Sequence, residues 1–210
     1  MANINVAFGL KPVGKHGSSP ATQGTSQYFI ASDASAIFQG SPVVAAALDG
    51  AAAGTIAVGS ATGDGQQLVG VFAGCEYVDA TTGKLKFSNT WPGSGSANTN
   101  FDIKGFVYDD PAQRFIICSD GTNTDRATAK ADIFKTAAMA DGASGNTTTG
   151  ISSAKLDIST ANETDTSDAL RILGIHEDVT NADHSAAGIS YIVQIIDHAL
   201  SGNDADATIS

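Results

Sequence analysis

The chain has 210 residues, with 22 acidic against 11 basic, for a net charge of −11. Such a surface repels phosphates, so binding of nucleic acid is not expected. Only 7% of residues are aromatic and much of the 42% hydrophobic content is alanine, which makes a thin core for this length and points to oligomerisation or docking on a larger surface.

The start at Met1 lacks a basic region followed by an apolar stretch, and no apolar run approaches the ~20 residues that a membrane span needs. A soluble protein, made in a cytoplasm and without a membrane partner, is expected. Charge is unevenly placed. Residues 1–32 hold Lys11, Lys15 and His16 and no acid, whereas no Lys or Arg follows Arg171. A mildly basic beginning and an acidic end are complementary, within a subunit or between neighbours. Ordinary solvated charge explains the same pattern.

In chain order, residues 1–27 are interrupted by Gly9, Pro12, Gly14, Gly17, Pro20 and Gly24, which predicts an extended arm with a few apolar anchors rather than a packed element. A single β domain is expected over 28–200 and a polar acidic tail over 201–210. Tyr28–Ala31, Pro42–Leu48 and Thr55–Val58 read as short strands.

Gln67–Val78 is rich in β-branched and aromatic residues. Lys84–Ser88 alternates Leu85 and Phe87 with Lys and Ser, so the two read as antiparallel strands of a core hairpin joined by a five-residue loop containing Gly83. Gly105–Tyr108 and Arg114–Cys118 read as the next strand pair, turned by Asp109-Asp110-Pro111-Ala112. One short helix fits within 127–140, a loop within 142–150 and a short strand at Lys155–Ile158. Leu170–His176 fits a strand with a bulge at Gly174 or a buried helix turn, and the strand is preferred because the segment is short and Ile-rich. Ile189–His198 is a long final strand with Tyr191, Val193 and Ile195 on one face. Many short strands at close spacing predict a mainly β fold, an antiparallel barrel or jelly-roll-like sandwich with an extended N-terminal arm. Cys75 and Cys118 sit in apolar runs without a framework of further pairs, which favours buried free thiols over a disulfide.

Motifs of reactive chemistry are few and incomplete. Gly9–Lys15 matches G-x-x-x-x-G-K, but His16 stands where Ser or Thr is needed, and no strand precedes it nor helix follows. Gly150-Ile-Ser152-Ser-Ala154 resembles a nucleophile elbow in a chain without the α/β alternation an elbow needs. Asn203-Asp204-Ala-Asp206 opens like a calcium loop but lacks its central Gly. Asp109 and Asp110 fit turn caps better than an acid–base pair. Trp91-Pro92 fits a binding anchor or a core plug equally well. No catalytic residue, metal or cofactor is expected.

The runs GVFAGCEYVD (70–79), KLKFSNTWPG (84–93), FVYDDPAQRFIICSDG (106–121), the loop at 147–150, LRILGIHEDVTN (170–181) and YIVQIIDH (191–198) occur in that order. Together they resemble a family of virion structural proteins of marine tailed bacteriophages. The likeness covers most of the chain and is thinnest over 127–145. It implies a non-enzymatic head protein, a cement or decoration protein on the capsid exterior, often trimeric, whose partner is the major capsid protein. The residues expected to meet that partner are Phe8, Leu10, Lys11 and Lys15 of the arm and Trp91 of the body. A tail, fibre or receptor-binding module is the alternative virion role. A serine hydrolase using Ser152 is a remote alternative.

Overall fold

The structure is a computed structural model that describes residues 3, 5–16, 24–47, 49–63, 65–162 and 167–201. In chain order its strands are β1 (Lys11–Lys15), β2 (Ser26–Ile30), β3 (Ile37–Phe38), β4 (Pro42–Ala45), β5 (Thr55–Val58), β6 (Leu68–Val78), β7 (Leu85–Ser88), β8 (Thr90–Trp91) and β9 (Ile103–Tyr108). They continue with β10 (Gln113–Cys118), β11 (Thr136–Ala137), β12 (Met139–Ala140), β13 (Gly145–Asn146), β14 (Ile151–Ser152), β15 (Lys155–Leu156), β16 (Leu170–Ile175) and β17 (Ser190–Ile195). The one α-helix among the described residues, α1 (Arg126–Ala131), is capped by Asp125, whose carboxylate accepts the Thr128 N–H.

The fold is mainly β, as expected. β4-β5-β2-β9-β6 closes into a five-stranded barrel through an added β4–β6 pairing, and β7 continues the sheet beyond the closure. All pairings in the barrel are antiparallel except β2–β5. A second sheet, in the order β1-β10-β17-β16-β11, is wholly antiparallel. Each has its own core. Ile30, Val43, Ile56, Phe72, Tyr77 and Val107 fill the barrel, with Ile37 and Trp91 packed against them from the β3–β8 pair. Phe115, Ile117, Leu170, Ile172, Tyr191 and Val193 build the other core.

Strand β6 serves both cores. Leu68 and Val71 belong to the second core, whereas Phe72, Cys75 and Tyr77 belong to the barrel. Strict alternation cannot produce that set. Two register shifts do so, one opposite Val43/Val44 and one between Phe72 and Gly74, because each extra residue reverses the faces that follow it. Gly70 permits the crossing of β6 with β9: a Cβ there would lie 2.2 Å from the Tyr108 carbonyl oxygen.

Several expected elements stand where the sequence placed them. The β6–β7 hairpin pairs Val78 with Leu85 and Cys75 with Ser88. Leu170–Ile175 is a strand whose register shifts between Ile172 and Gly174. Tyr191, Val193 and Ile195 are the buried face of β17. Both cysteines are free and buried.

Three expectations are corrected. First, β9 and β10 are not paired with each other. Both edges of β9 are taken by β2 and β6, so Asp109–Ala112 carries the chain to the second sheet instead of closing a hairpin. Second, residues 10–15 of the presumed arm are packed. Leu10 is 2% exposed and belongs to the second core, and β1 adds to the edge of β10 that β9 leaves open. Its pattern was hidden because the register slips between Pro12 and Gly14. Residues 17–23 of that arm, and 202–210 of the expected tail, lie outside the described residues. Third, Leu85 and Phe87 are not core: they are 57% and 67% exposed. β7 lies past the point where β4 closes on β6, so among the described residues no element covers its apolar face.

Candidate partner-binding surface

The residues singled out in the sequence do not converge on one surface. Trp91 is completely buried. Its indole N–H donates to the Ala34 carbonyl at 3.2 Å and its ring meets Tyr77 edge to face. Of the two roles open to it, the structure gives it that of a core plug. Leu10 is likewise internal, so neither side chain is presented to a partner in this conformation. Phe8 is half-buried and Lys11 is exposed. Lys15 is ion-paired with Asp110, and this neighbouring ammonium is the main reason the Asp110 carboxyl is held below its ordinary value.

A chain crossing places Phe8 and Lys11. Leu10 donates its N–H to the Gly40 carbonyl at 2.9 Å, and Gly9 crosses Gly40 so closely, at φ +68°, that a Cβ would lie 2.7 Å from that oxygen. Only glycine combines that backbone with that approach. The segment beyond the crossing runs as a ridge between two clefts. One, of about 390 Å³, is bordered by Ile116, His176, Asp178 and Ser190; the other, of about 310 Å³, by Gln39, Phe72, Tyr108 and Ile151. Phe8 and Lys11 border both.

A second surface was missed by the sequence reading. On the outer side of the barrel, Phe29 stands opposite Lys104, Lys104 opposite Glu76, and Glu76 opposite Phe87. The next row sets Val78 beside Leu85. Phe106 joins the same face, since Ile103, Gly105 and Val107 turn inward. Two strongly exposed apolar side chains thus meet an ion pair, Lys104 to Glu76 at 3.4 Å. That pair is half-exposed and contributes little to stability, but it gives the apolar face a polar register. The signal was present in the sequence as the alternation of Leu85 and Phe87. What it lacked was which side of the sheet the core occupies.

At the junction of the two sheets lies a partly buried polar cluster. Tyr28 donates its hydroxyl to Asp109 at 2.7 Å; burial first, then that carboxylate, pushes the phenol up to about 12. His198 is 4% exposed. Its Nδ1 accepts the Leu200 N–H at 3.1 Å, and its Nε2 has no hydrogen-bond partner among the described residues. Burial pulls its pKa down, against the pull of Asp109 and Asp110 in the other direction.

The motifs of reactive chemistry take structural places. Lys11–Lys15 is an edge strand, with its backbone paired to β10 rather than cradling a phosphate. The Ser152 hydroxyl donates to the Ser144 carbonyl and accepts the Ala154 N–H. Among the described residues no group of three His, Cys, Asp or Glu side chains is placed to hold a metal ion, and no helix is long and apolar enough to cross a membrane. Comparison of the chain with protein-family models, with curated proteins and with solved structures finds no match.

Proposed function

We propose that this chain is a non-enzymatic structural protein of a bacteriophage virion, a cement protein that binds the exterior of the capsid and holds neighbouring major capsid subunits together. The reading starts from the ordered likeness of residues 70–79, 84–93, 106–121, 170–181 and 191–198 to such proteins. The structural observation that best supports it is the outer barrel face, where Leu85 and Phe87 are exposed beside the Lys104–Glu76 pair. An exposed apolar row with a central charge pair suits a binding surface, because apolar contact supplies affinity and the charges fix register.

Modest contacts suffice for cementing when an oligomer engages several subunits at once, since the second and third contacts form at high effective concentration. The ridge of Phe8 and Lys11 offers a second contact.

The test is stoichiometry and add-back. A cement protein is present in purified particles at a copy number comparable to the major capsid protein, and it rebinds heads stripped of it. A handful of copies per particle points instead to a tail, fibre or receptor-binding module, and absence from the particle refutes both. Phe87→Ser and Leu85→Ser should weaken rebinding while leaving the fold intact.

A further inference from the structure

β7 is the one strand of the six-stranded sheet whose outer edge lies beyond the barrel closure, and among the described residues no strand pairs with that edge. The polarity of the edge follows from the hairpin. Asp79 donates its N–H to the Lys84 carbonyl at 2.9 Å, so Asp79 and Lys84 form a hydrogen-bonded pair. Pairs alternate along an antiparallel ladder, which makes Val78–Leu85 and Glu76–Phe87 the non-bonded ones. Leu85 and Phe87 therefore aim their backbone N–H and C=O groups outward. Proteins blunt such edges with Pro, bulges, covering loops, short strands or charged side chains, Lys above all. The β1 edge has Pro12 and a register slip, and β11 is flanked by Asn162. β7 lacks Pro, bulge and cover and is guarded only by its shortness and by Lys84 and Lys86, a guard that an acidic partner removes.

Those two lysines select the partner. Two copies joined edge to edge through β7, with Leu85 opposite Phe87, would set Lys86 opposite Lys86, which is unfavourable. An acidic segment with the same alternation fits instead, and this sequence contains one. Asp204-Ala-Asp206-Ala-Thr208-Ile209 alternates acidic or polar residues with apolar ones. Paired along β7, it sets Asp204 and Asp206 on the face of Lys84 and Lys86, and its alanines beside Leu85 and Phe87.

We propose that β7 accepts the acidic segment Asp204–Ile209 of a second copy of this chain as an added strand. Reach favours the segment of a second copy over the chain's own. His198 bridges to Leu68 at the start of β6, whereas Lys86 lies opposite Tyr77. Leu68 to Tyr77 spans nine residues of strand, ~30 Å, while His198 to Asp204 spans six residues, at most ~22 Å when fully extended. Donor and acceptor surfaces differ, so every copy is satisfied by reciprocal exchange between two copies or by closure into a larger ring. The proposal goes beyond the virion reading and does not rest on it.

The test measures the mass of the purified full-length protein in solution by light scattering at low and high salt. The expected result is an oligomer that dissociates in high salt, on deletion of residues 202–210, and in the Lys84→Glu/Lys86→Glu variant. Adding Asp204→Lys/Asp206→Lys to that variant should restore the oligomer, a rescue that loss of folding cannot mimic. A labelled peptide of residues 202–210 should bind the deletion variant, and bind its Lys84→Glu/Lys86→Glu form at least about tenfold more weakly. A monomeric full-length chain, an oligomer that survives the deletion, failure of the charge reversal to rescue, or peptide binding indifferent to the lysines overturns the proposal. Head rebinding is read separately, so either idea can fail alone.

Discussion

Trp91 stands edge to face on Tyr77, with ring centroids 5.4 Å apart and planes at 86°. Both rings are shut off from solvent, and Lys86 covers the Tyr77 ring with its ammonium 5.7 Å from the centroid. The pair ties the β3–β8 strands to the barrel wall.

This arrangement makes the single tryptophan a reporter of the barrel. Its fluorescence should be blue-shifted in the native protein and move to the red on unfolding. Trp91→Ala should cost about 3–5 kcal/mol, with Trp91→Phe costing less, as measured by urea unfolding followed by circular dichroism. A cost under about 1 kcal/mol would place the ring at the surface.

Leu10 carries a prediction about the N-terminal segment. Its side chain is in the second core and its N–H is bonded to Gly40. Leu10→Ala should destabilise by about 2–5 kcal/mol. Deletion through residue 15 should be worse, because it strips β1 from β10, whereas deletion of residues 2–4 should be mild. Equal stability of these truncations, compared by thermal unfolding, would show that β1 is not part of the folded body.

His198 predicts an acid limb of stability. Its folded pKa lies below the ordinary 6.5, so the folded state resists a proton that the unfolded chain accepts. This costs nothing well above pH 6.5. Stability falls as pH drops through 6.5 and levels off below the depressed folded value. Asp109 and Asp110 pull the imidazole's pKa back up and moderate the loss. His198→Gln should flatten the slope between pH 6.5 and 5, read as urea midpoints. A variant with the wild-type slope would assign the limb to other groups.

The thiols should be silent in the native state. Burial pushes Cys75 up to about 12 and raises Cys118 as well. Thiolate is the reactive form, so a disulfide reagent at pH 8 should label neither residue in the folded protein and both after denaturation. Fast native labelling of Cys75 would mean that the barrel opens readily.

Phe87 separates stability from binding. Because the ring is mostly in solvent, Phe87→Ser should change stability by no more than about 0.5 kcal/mol. A large loss would mean that the face is covered within the folded chain.

Local chemistry was enough to read the β class, the hairpin turn at Asp79–Gly83, the bulge before Gly174 and the inward face of β17. These depend on side-chain period and turn residues that are adjacent in the chain. Asp79, for example, accepts the Thr81 and Thr82 N–H groups within its own turn. Strand partners were less legible. The Asp109–Ala112 turn serves a hairpin or a crossing equally well, and only the occupancy of both edges of β9 decides between them. The same holds for β1, which finds its place because β10 has an edge to spare.

The candidate surfaces divide along the same line. Leu85 and Phe87 were recognisable as one apolar face from their spacing, and Trp91 as either anchor or plug. Whether Leu85 and Phe87 are covered depends on closure of the barrel between β4 and β6, residues 42–44 against 68–71. That closure leaves β7 outside, while Trp91 is buried beside Tyr77 on a strand paired with β3. Period and turn chemistry are properties of neighbours in sequence, so the chain alone determines them. Inside and outside are properties of the closed sheet, which exists only once strands distant in sequence have paired.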